Sequence, residues 1–286
     1  MDWFFNFPFK FGWDPESIDR VIKQFSIDNK VFFDGIKAGL NGMISTLYNI
    51  LSWVPWWGYL ILVFVLGYLI KKSWRTAALF SGMLSLVGFF GLWDLMLITL
   101  SIVLTSVFLS LLIGFPVGIL MSFSDRANRI LRPVLDTMQT MPVFVYLIPA
   151  VMFFGLGKAP AVLATTIYAV VPIIRLTNLG IRQVDEEVVE AARAFGSTRM
   201  QTMIKVQIPQ AKATIMTGIN QTLMMAMAMV VTSSMIGASG LGMEVLISVN
   251  RIEMGRGFVS GMAVVIVAII LDRLTQSVVK EKEKSL

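Results

Sequence analysis

Neither cysteine nor histidine occurs in the 286 residues, and charged residues are scarce at 15%. Without Cys there is no thiol nucleophile and no thiolate metal site, and the redox compartment is left open. Without His the commonest general base is gone, together with the imidazole ligand for zinc or haem. Chemistry would have to rest on carboxylates, Lys, Ser or Tyr. A phosphate-cradling loop is missing too: Gly237-Ala-Ser-Gly-Leu-Gly242 follows an apolar run and lacks the terminal Lys-Ser/Thr pair. The start, Met1-Asp2-Trp3-Phe4-Phe5, lacks the basic region, apolar core and small-residue cleavage site of a secretory leader, so targeting falls to the first span.

What is abundant is apolar surface. Hydrophobic residues make up 56% of the chain and mean hydropathy is +0.75, whereas a soluble domain is about half apolar and about a quarter charged. The excess must face lipid. Crossing hydrocarbon about 30 Å thick takes about 20 apolar residues at 1.5 Å each. Seven runs are candidates: Trp56–Ile70, Thr76–Trp93, Leu95–Met121, Thr137–Phe154, Pro160–Leu179, Ala213–Ile236 and Phe258–Val278. An eighth, Phe32–Trp53, is interrupted by Asp34 and Lys37 and reads as an interfacial amphipathic helix or a marginal span.

The net charge of +6 is distributed as topology, not as a nucleic-acid footprint. Lys71, Lys72 and Arg75, then Arg126, Arg129 and Arg132, then Arg182, Arg193, Arg199, Lys205 and Lys212, and lastly Lys280, Lys282 and Lys284 fall on one side of seven alternating spans. That side is the cytoplasm. Residues 1–52 then lie outside; if Phe32–Trp53 crosses, the N-terminus moves inside. Arg175 and Arg273 sit near cytoplasmic ends and can snorkel, and with Asp94 and Asp272 near the boundaries no buried ionic relay is evident. Gly114-Phe-Pro-Val-Gly118, Pro142, Pro149 and Pro172 interrupt spans. Either these are the Pro and Gly common in membrane helices, or the helices surround a pathway and bend as it opens.

The segment from Ile181 to Pro209 is too long for a plain connection. Asp185 is suited to cap a helix, with Glu186 and Glu187 in its first turn. Val188, Ala191, Ala192 and Phe195 then recur on one face. Gly196 allows a sharp turn, Ser197 or Thr198 is positioned to cap a second helix running to Ile208, and Pro209 is expected to close it. A small apolar knob with a Phe anchor, on a cytoplasmic surface, suits a groove in another protein. The alternative is an amphipathic loop packed on its own bundle.

Glu190-Ala191-Ala192, Gly196 and Val206-Gln207-Ile208-Pro209 resemble the EAA loop of ABC importer permeases. Val206 and Ile208 depart from that pattern by exchanging one branched aliphatic residue for another. Asp136 to Pro149, Ile236 to Gly242 and Leu271 to Gln276 resemble the permeases of glycine betaine and proline betaine importers, and the similarity runs from about Trp93 to Gln276. The resemblance implies an all-α, polytopic membrane helix bundle. The bundle it implies is that of a type I ABC importer permease, with a MetI-like five-helix core and extra N-terminal helices. It divides the chain into an external amphipathic segment (1–53), two accessory spans (54–93), a core (94–279) containing the coupling loop (181–209), and a cytoplasmic tail (280–286).

The partners it implies are two copies of an ABC ATPase subunit, a second permease copy, a separate external substrate-binding protein and the lipid bilayer of a bacterial cell membrane, with no nucleic acid. ATP and Mg belong to the ATPase, and this chain holds no catalytic, cofactor or metal site of its own. Val188, Glu190, Ala191, Ala192, Phe195, Gly196 and Pro209 would form the ATPase-coupling surface. A betaine's quaternary ammonium favours aromatic faces, and Met lining is adaptable. Met141, Pro142, Phe144, Tyr146, Met225 and Met229 are therefore pathway candidates, with Phe153 and Phe154 as further aromatics, and ordinary helix packing is the alternative. The rival class is a gradient-driven channel or carrier, which would show internal repeats or buried ionisable residues. Another cargo, such as methionine, choline or a different amino acid, is the rival within the class.

Overall fold

The computed structural model describes residues 15–283, and every regular element among them is helical. Residues 1–14 of the expected external segment and residues 284–286 of the tail lie outside the described residues.

The helices are α1 (Pro15–Asp28), α2 (Lys30–Trp53), α3 (Trp56–Lys71), α4 (Trp74–Phe89), α5 (Trp93–Phe123), α6 (Asp125–Thr140), α7 (Phe144–Phe154), α8 (Lys158–Arg182), α9 (Glu186–Ala194), α10 (Arg199–Thr202), α11 (Ile208–Gln210), α12 (Lys212–Ser234), α13 (Leu241–Arg251) and α14 (Met254–Glu283). A π-helical turn, Met203–Gln207, joins α10 to α11.

Four helices are by themselves long and apolar enough to cross a membrane: α5, α8, α12 and α14 through Gln276. Two bent pairs reach that standard only jointly, α2 with α3 at 85° and α6 with α7 at 94°. The expectation of seven continuous spans is therefore corrected at three places. Trp56–Ile70 falls in α3, which at 16 residues meets the standard only together with α2. Thr137–Phe154 is not one helix, because its axis breaks between Thr140 and Phe144. The run expected to end at Trp93 stops at Phe89, where Gly91 at φ 70 turns the chain into α5. At 16 residues, α4 is about 24 Å long, short of the roughly 30 Å of hydrocarbon.

The centre is the stack of α5 on α8 and of α8 on α12, the most extensive helix pairs in the structure. On α5, Ser106, Ser110, Gly114 and Gly118 recur every fourth residue and bring the two backbones together. Ser106 Oγ donates to the Val162 carbonyl at 3.4 Å and Ser110 Oγ to that of Thr166 at 3.2 Å. A Cβ on Gly114 would lie 2.4 Å from Ile173 Cγ2, and one on Gly118 would lie 2.8 Å from the Ile174 carbonyl oxygen. The Gly114 to Gly118 stretch is thus a packing seam, and α5 continues through Pro116 as one helix, as α8 does through Pro172.

Three apolar clusters divide the bundle. One joins α3 and α4 to α5, α12 and α14; a second joins α2 and α7 to α5 and α8; the third gathers Met121, Leu135, Ile173, Ile181, Met203 and Ile215 where α6 and the connection between α8 and α12 meet the spans. The marginal segment Phe32–Trp53 is the greater part of α2, whose Leu40 and Ile44 are buried in the second cluster.

Candidate coupling surface and membrane pathway

The loop after α8 folds into the hairpin that its residues imply. Asp185 Oδ1 accepts from the Glu187 N–H at 2.9 Å, satisfying one of the free donors that open α9. Val189 is the residue of α9 that turns inward and is buried. Val188, Glu190 and Ala191 are exposed, Ala192 is half-buried, and Phe195 is 92% exposed. This apolar face is therefore largely presented to solvent, with nothing among the described residues covering the Phe195 ring. Gly196 takes φ 82, a left-handed conformation that makes the turn. Thr198 then caps α10 with a full capping box: its Oγ1 accepts from the Gln201 N–H at 3.3 Å, and Gln201 Oε1 accepts from the Thr198 N–H at 2.8 Å.

The second helix does not run regularly to Ile208, and Pro209 does not close it. After Thr202 the backbone widens into the π turn, where the Ile208 N–H reaches back five residues to the Met203 carbonyl. Pro209 then sits near the start of α11, and the chain runs on into α12 through Ala211, whose N–H donates to Gln207 O at 2.8 Å. Proline has no N–H and its ring clashes with the carbonyl four residues earlier. A wider turn removes that clash, which is why the helix changes pitch instead of ending.

Arg182, at the end of α8, holds the root of this hairpin. Its guanidinium meets Asp125 at 2.8 Å, Asn178 Oδ1 at 3.0 Å and the Met121 carbonyl at 2.9 Å, so the ends of α5 and α8 and the start of α6 share one cation. Asn178 also donates to Asn128 Oδ1 at 3.1 Å. Further along α8, Arg175 pairs with Asp136 of α6, replacing the expected snorkelling arginine by an ion pair. The successive contacts with Arg182, Asn178 and Arg175 show α6 climbing obliquely along α8 into the span. Sequence reading treated these arginines as charge markers, because partners separated by 57 and 39 positions leave no local signal.

The break between α6 and α7 holds Met141, Pro142 and Val143. Met141 is half-buried, Pro142 and Phe144 are exposed, and Tyr146 is buried with its hydroxyl donating back across the break to the Met138 carbonyl. On α12, Met225 is partly buried against the first cluster, while Met229 is 1% exposed inside the second. Phe153 stacks on Phe33 of α2, centroids 4.8 Å apart, and Phe154 meets the same ring edge-on. The Gly237 to Gly242 segment is structural: Gly240 takes φ 125, and the Leu241 N–H donates to Thr99 Oγ1 at 2.8 Å, tying the start of α13 to α5.

A family model described as the binding-protein-dependent transport system inner membrane component matches residues 110–283. This chain belongs to that family. As an inner membrane component of a transport system, it is a permease, and the matched region takes in the C-terminal part of α5, the bent limbs α6 and α7, the hairpin and the last spans. The permease is 46% identical over 270 residues to the glycine betaine transport system permease protein OpuAB of Bacillus subtilis, covering 94% of each chain. It is 43% identical over 272 residues to the glycine betaine/proline betaine transport system permease protein ProW of Escherichia coli, covering 93% of this chain and 74% of that one. Among solved structures it resembles a chain of the inward-facing MetNI methionine ABC transporter, with a TM-score of 0.59, 21% identity, and coverage of 64% of this chain and 92% of that one. At that identity the likeness is one of fold.

Proposed function

We propose that this permease forms, with a second copy of itself, the membrane pathway of an ATP-driven importer for a compatible solute such as glycine betaine or proline betaine. The observation that carries the reading is the α9 face: Val188, Ala191, Ala192 and Phe195 form an apolar ridge on a surface that is otherwise charged, and Phe195 is 92% exposed. Such a ridge is stable in water only at a cost, which a groove in a partner removes. The partner is the ATPase, in two copies. Glu190 flanks the ridge, Gly196 sets its turn, and Pro209 with the π turn joins it to α12, so a pull on the ridge reaches a membrane span directly. ATP and Mg act on the partner. A separate external protein delivers the solute, and Met141, Pro142, Phe144, Tyr146, Met225 and Met229 line or brace the path. The cargo follows the printed names of the relatives, which cover nearly the whole chain.

The test is reconstitution in vesicles with the ATPase and the binding protein, using labelled glycine betaine, proline betaine, choline and methionine. ATP-dependent uptake of a betaine is expected. Uptake at full rate without the ATPase would return the chain to the gradient-driven class, and ATP-dependent uptake of methionine alone would replace the cargo.

A further inference from the structure

Of the spans, α12 presents an outward face unlike the rest. Its exposed residues within the span are Ala213, Thr217, Gln221, Met224 and Ala228, spaced four, four, three and four apart. At 100° per residue these positions fall within an arc of about 80° that continues the length of the helix. By contrast, α5 shows Phe108, Leu112, Ile113 and Leu120 to the outside, and α14 shows Phe258, Met262 and Val265, residues suited to lipid. The Gln221 carboxamide makes no hydrogen bond among the described residues, and it is the tenth residue of a 23-residue helix. An unsatisfied amide in hydrocarbon costs several kcal/mol, so lipid is excluded as its neighbour.

The other faces of α12 are fixed. A Cβ on Gly218 would lie 3.1 Å from Leu176 Cβ on α8, and Asn220 donates to Asp272 Oδ1 of α14 at 2.9 Å. The polar stripe is therefore held in one orientation. Close helix crossing with a second copy requires small residues at the crossing point. Here the middle of the stripe is Gln221 and Met224, long side chains that keep another helix away, while the small residues are at its two ends.

We infer that this stripe is a water-facing wall of the translocation pathway, with Gln221 as the group that hydrogen-bonds the passing solute. The inference deepens the importer reading and rests on it for the identity of the solute. A zwitterion with a carboxylate and a methylated ammonium finds in Gln221 an N–H donor for the carboxylate, and in Met224 a polarisable surface for the methyl groups. Only Ala211 separates α11 from α12, the helix that carries the wall, so displacement of the hairpin reorients the wall without a longer linker to absorb it.

The absence of native cysteine makes the test direct. In the full-length permease in membrane vesicles, Thr217→Cys, Gln221→Cys, Met224→Cys and Ala228→Cys are expected to react with a membrane-impermeant thiol reagent at least about tenfold faster than Leu112→Cys and Val265→Cys. This labelling is scored without ATP or uptake, so its failure is distinguishable from failure of the importer reading. In the reconstituted transporter, Gln221→Leu is expected to cut betaine uptake about tenfold while leaving thermal stability in detergent unchanged, and Gln221→Asn to restore part of it. Stripe positions no more reactive than the lipid-facing controls would overturn the inference. So would a spontaneous disulfide between two Gln221→Cys copies, which would make the stripe a subunit seam, or wild-type uptake by Gln221→Leu.

Discussion

Phe195 and Gly118 occupy opposite extremes of burial, and their substitutions are expected to fail in opposite ways. Phe195 is 92% exposed, so Phe195→Ala removes almost no packing among the described residues and should change stability by no more than about 0.5 kcal/mol. As the anchor of a docking ridge, the same ring should contribute about 2 kcal/mol to association with the ATPase, roughly a thirtyfold loss of affinity on truncation. Thermal unfolding in detergent and a pull-down titration with the ATPase separate the two effects. Gly118→Ala does the reverse. Its new Cβ would stand 2.7 Å from Thr177 Cβ and 2.8 Å from the Ile174 carbonyl, and no rotamer change moves a backbone oxygen. Destabilisation of about 1–3 kcal/mol is expected, read as a lower melting temperature. Gly82→Ala is the control: nothing lies within 4 Å of its added methyl in the middle of α4, and the Ala should be neutral or stabilising.

At the scale of the element, the proposed coupling role of the hairpin rests on its two ends being held differently. Arg182 fixes the beginning to α5, α6 and α8, whereas the far end continues through the single residue Ala211 into α12. Removing the anchor while keeping the side chain's bulk, as in Arg182→Met, should cost about 1–2 kcal/mol after solvent screening of a pair that is partly exposed. The larger consequence is mechanical. ATP turnover should persist while solute moved per ATP falls, and simultaneous measurement of phosphate release and uptake gives that ratio.

The hairpin was largely readable from the sequence because helix caps, a turn glycine and an apolar face are local signals. Asp185, Gly196 and Thr198 each perform the role their residue type dictates. The π turn before Pro209 was not readable, since proline marks where a regular helix cannot continue and does not say whether the backbone ends there or widens. The exposed side of α12 was missed for a related reason. The Met224 to Met229 run is apolar throughout, and periodicity cannot orient such a helix until neighbouring helices cover one side: Met224 and Ala228 emerged exposed, whereas Met229 is in the core. The Arg182 and Arg175 partners depend on tertiary folding alone.

In the whole molecule, rigid and deformable parts are separable by how their contacts are made. The stack of α5, α8 and α12 is joined by serine and glycine contacts between backbones, at distances that leave no room to slide. The limbs α6 and α7 are each tied to α8, α6 by ion pairs and amides and α7 by Tyr146, Leu147 and Ala150, but between them stand three non-helical residues and the Tyr146 hydroxyl brace. Motion delivered through the hairpin should therefore concentrate at Met141–Val143. Spin labels at exposed positions 134 and 148, introduced as Val134→Cys and Ile148→Cys, straddle the break, while a Leu112→Cys and Ile167→Cys pair reports on the stack. Between nucleotide-free and ATP-bound transporter, the first distance should change by more than about 2 Å and the second by less. Equal changes in both pairs would mean that the bundle tilts as one body and that the break is not the hinge. Tyr146→Phe, which removes the brace but keeps the ring in its packed site, should broaden the first distribution and leave the second as it was, because a hinge without its hydrogen bond samples more angles at little cost in packing.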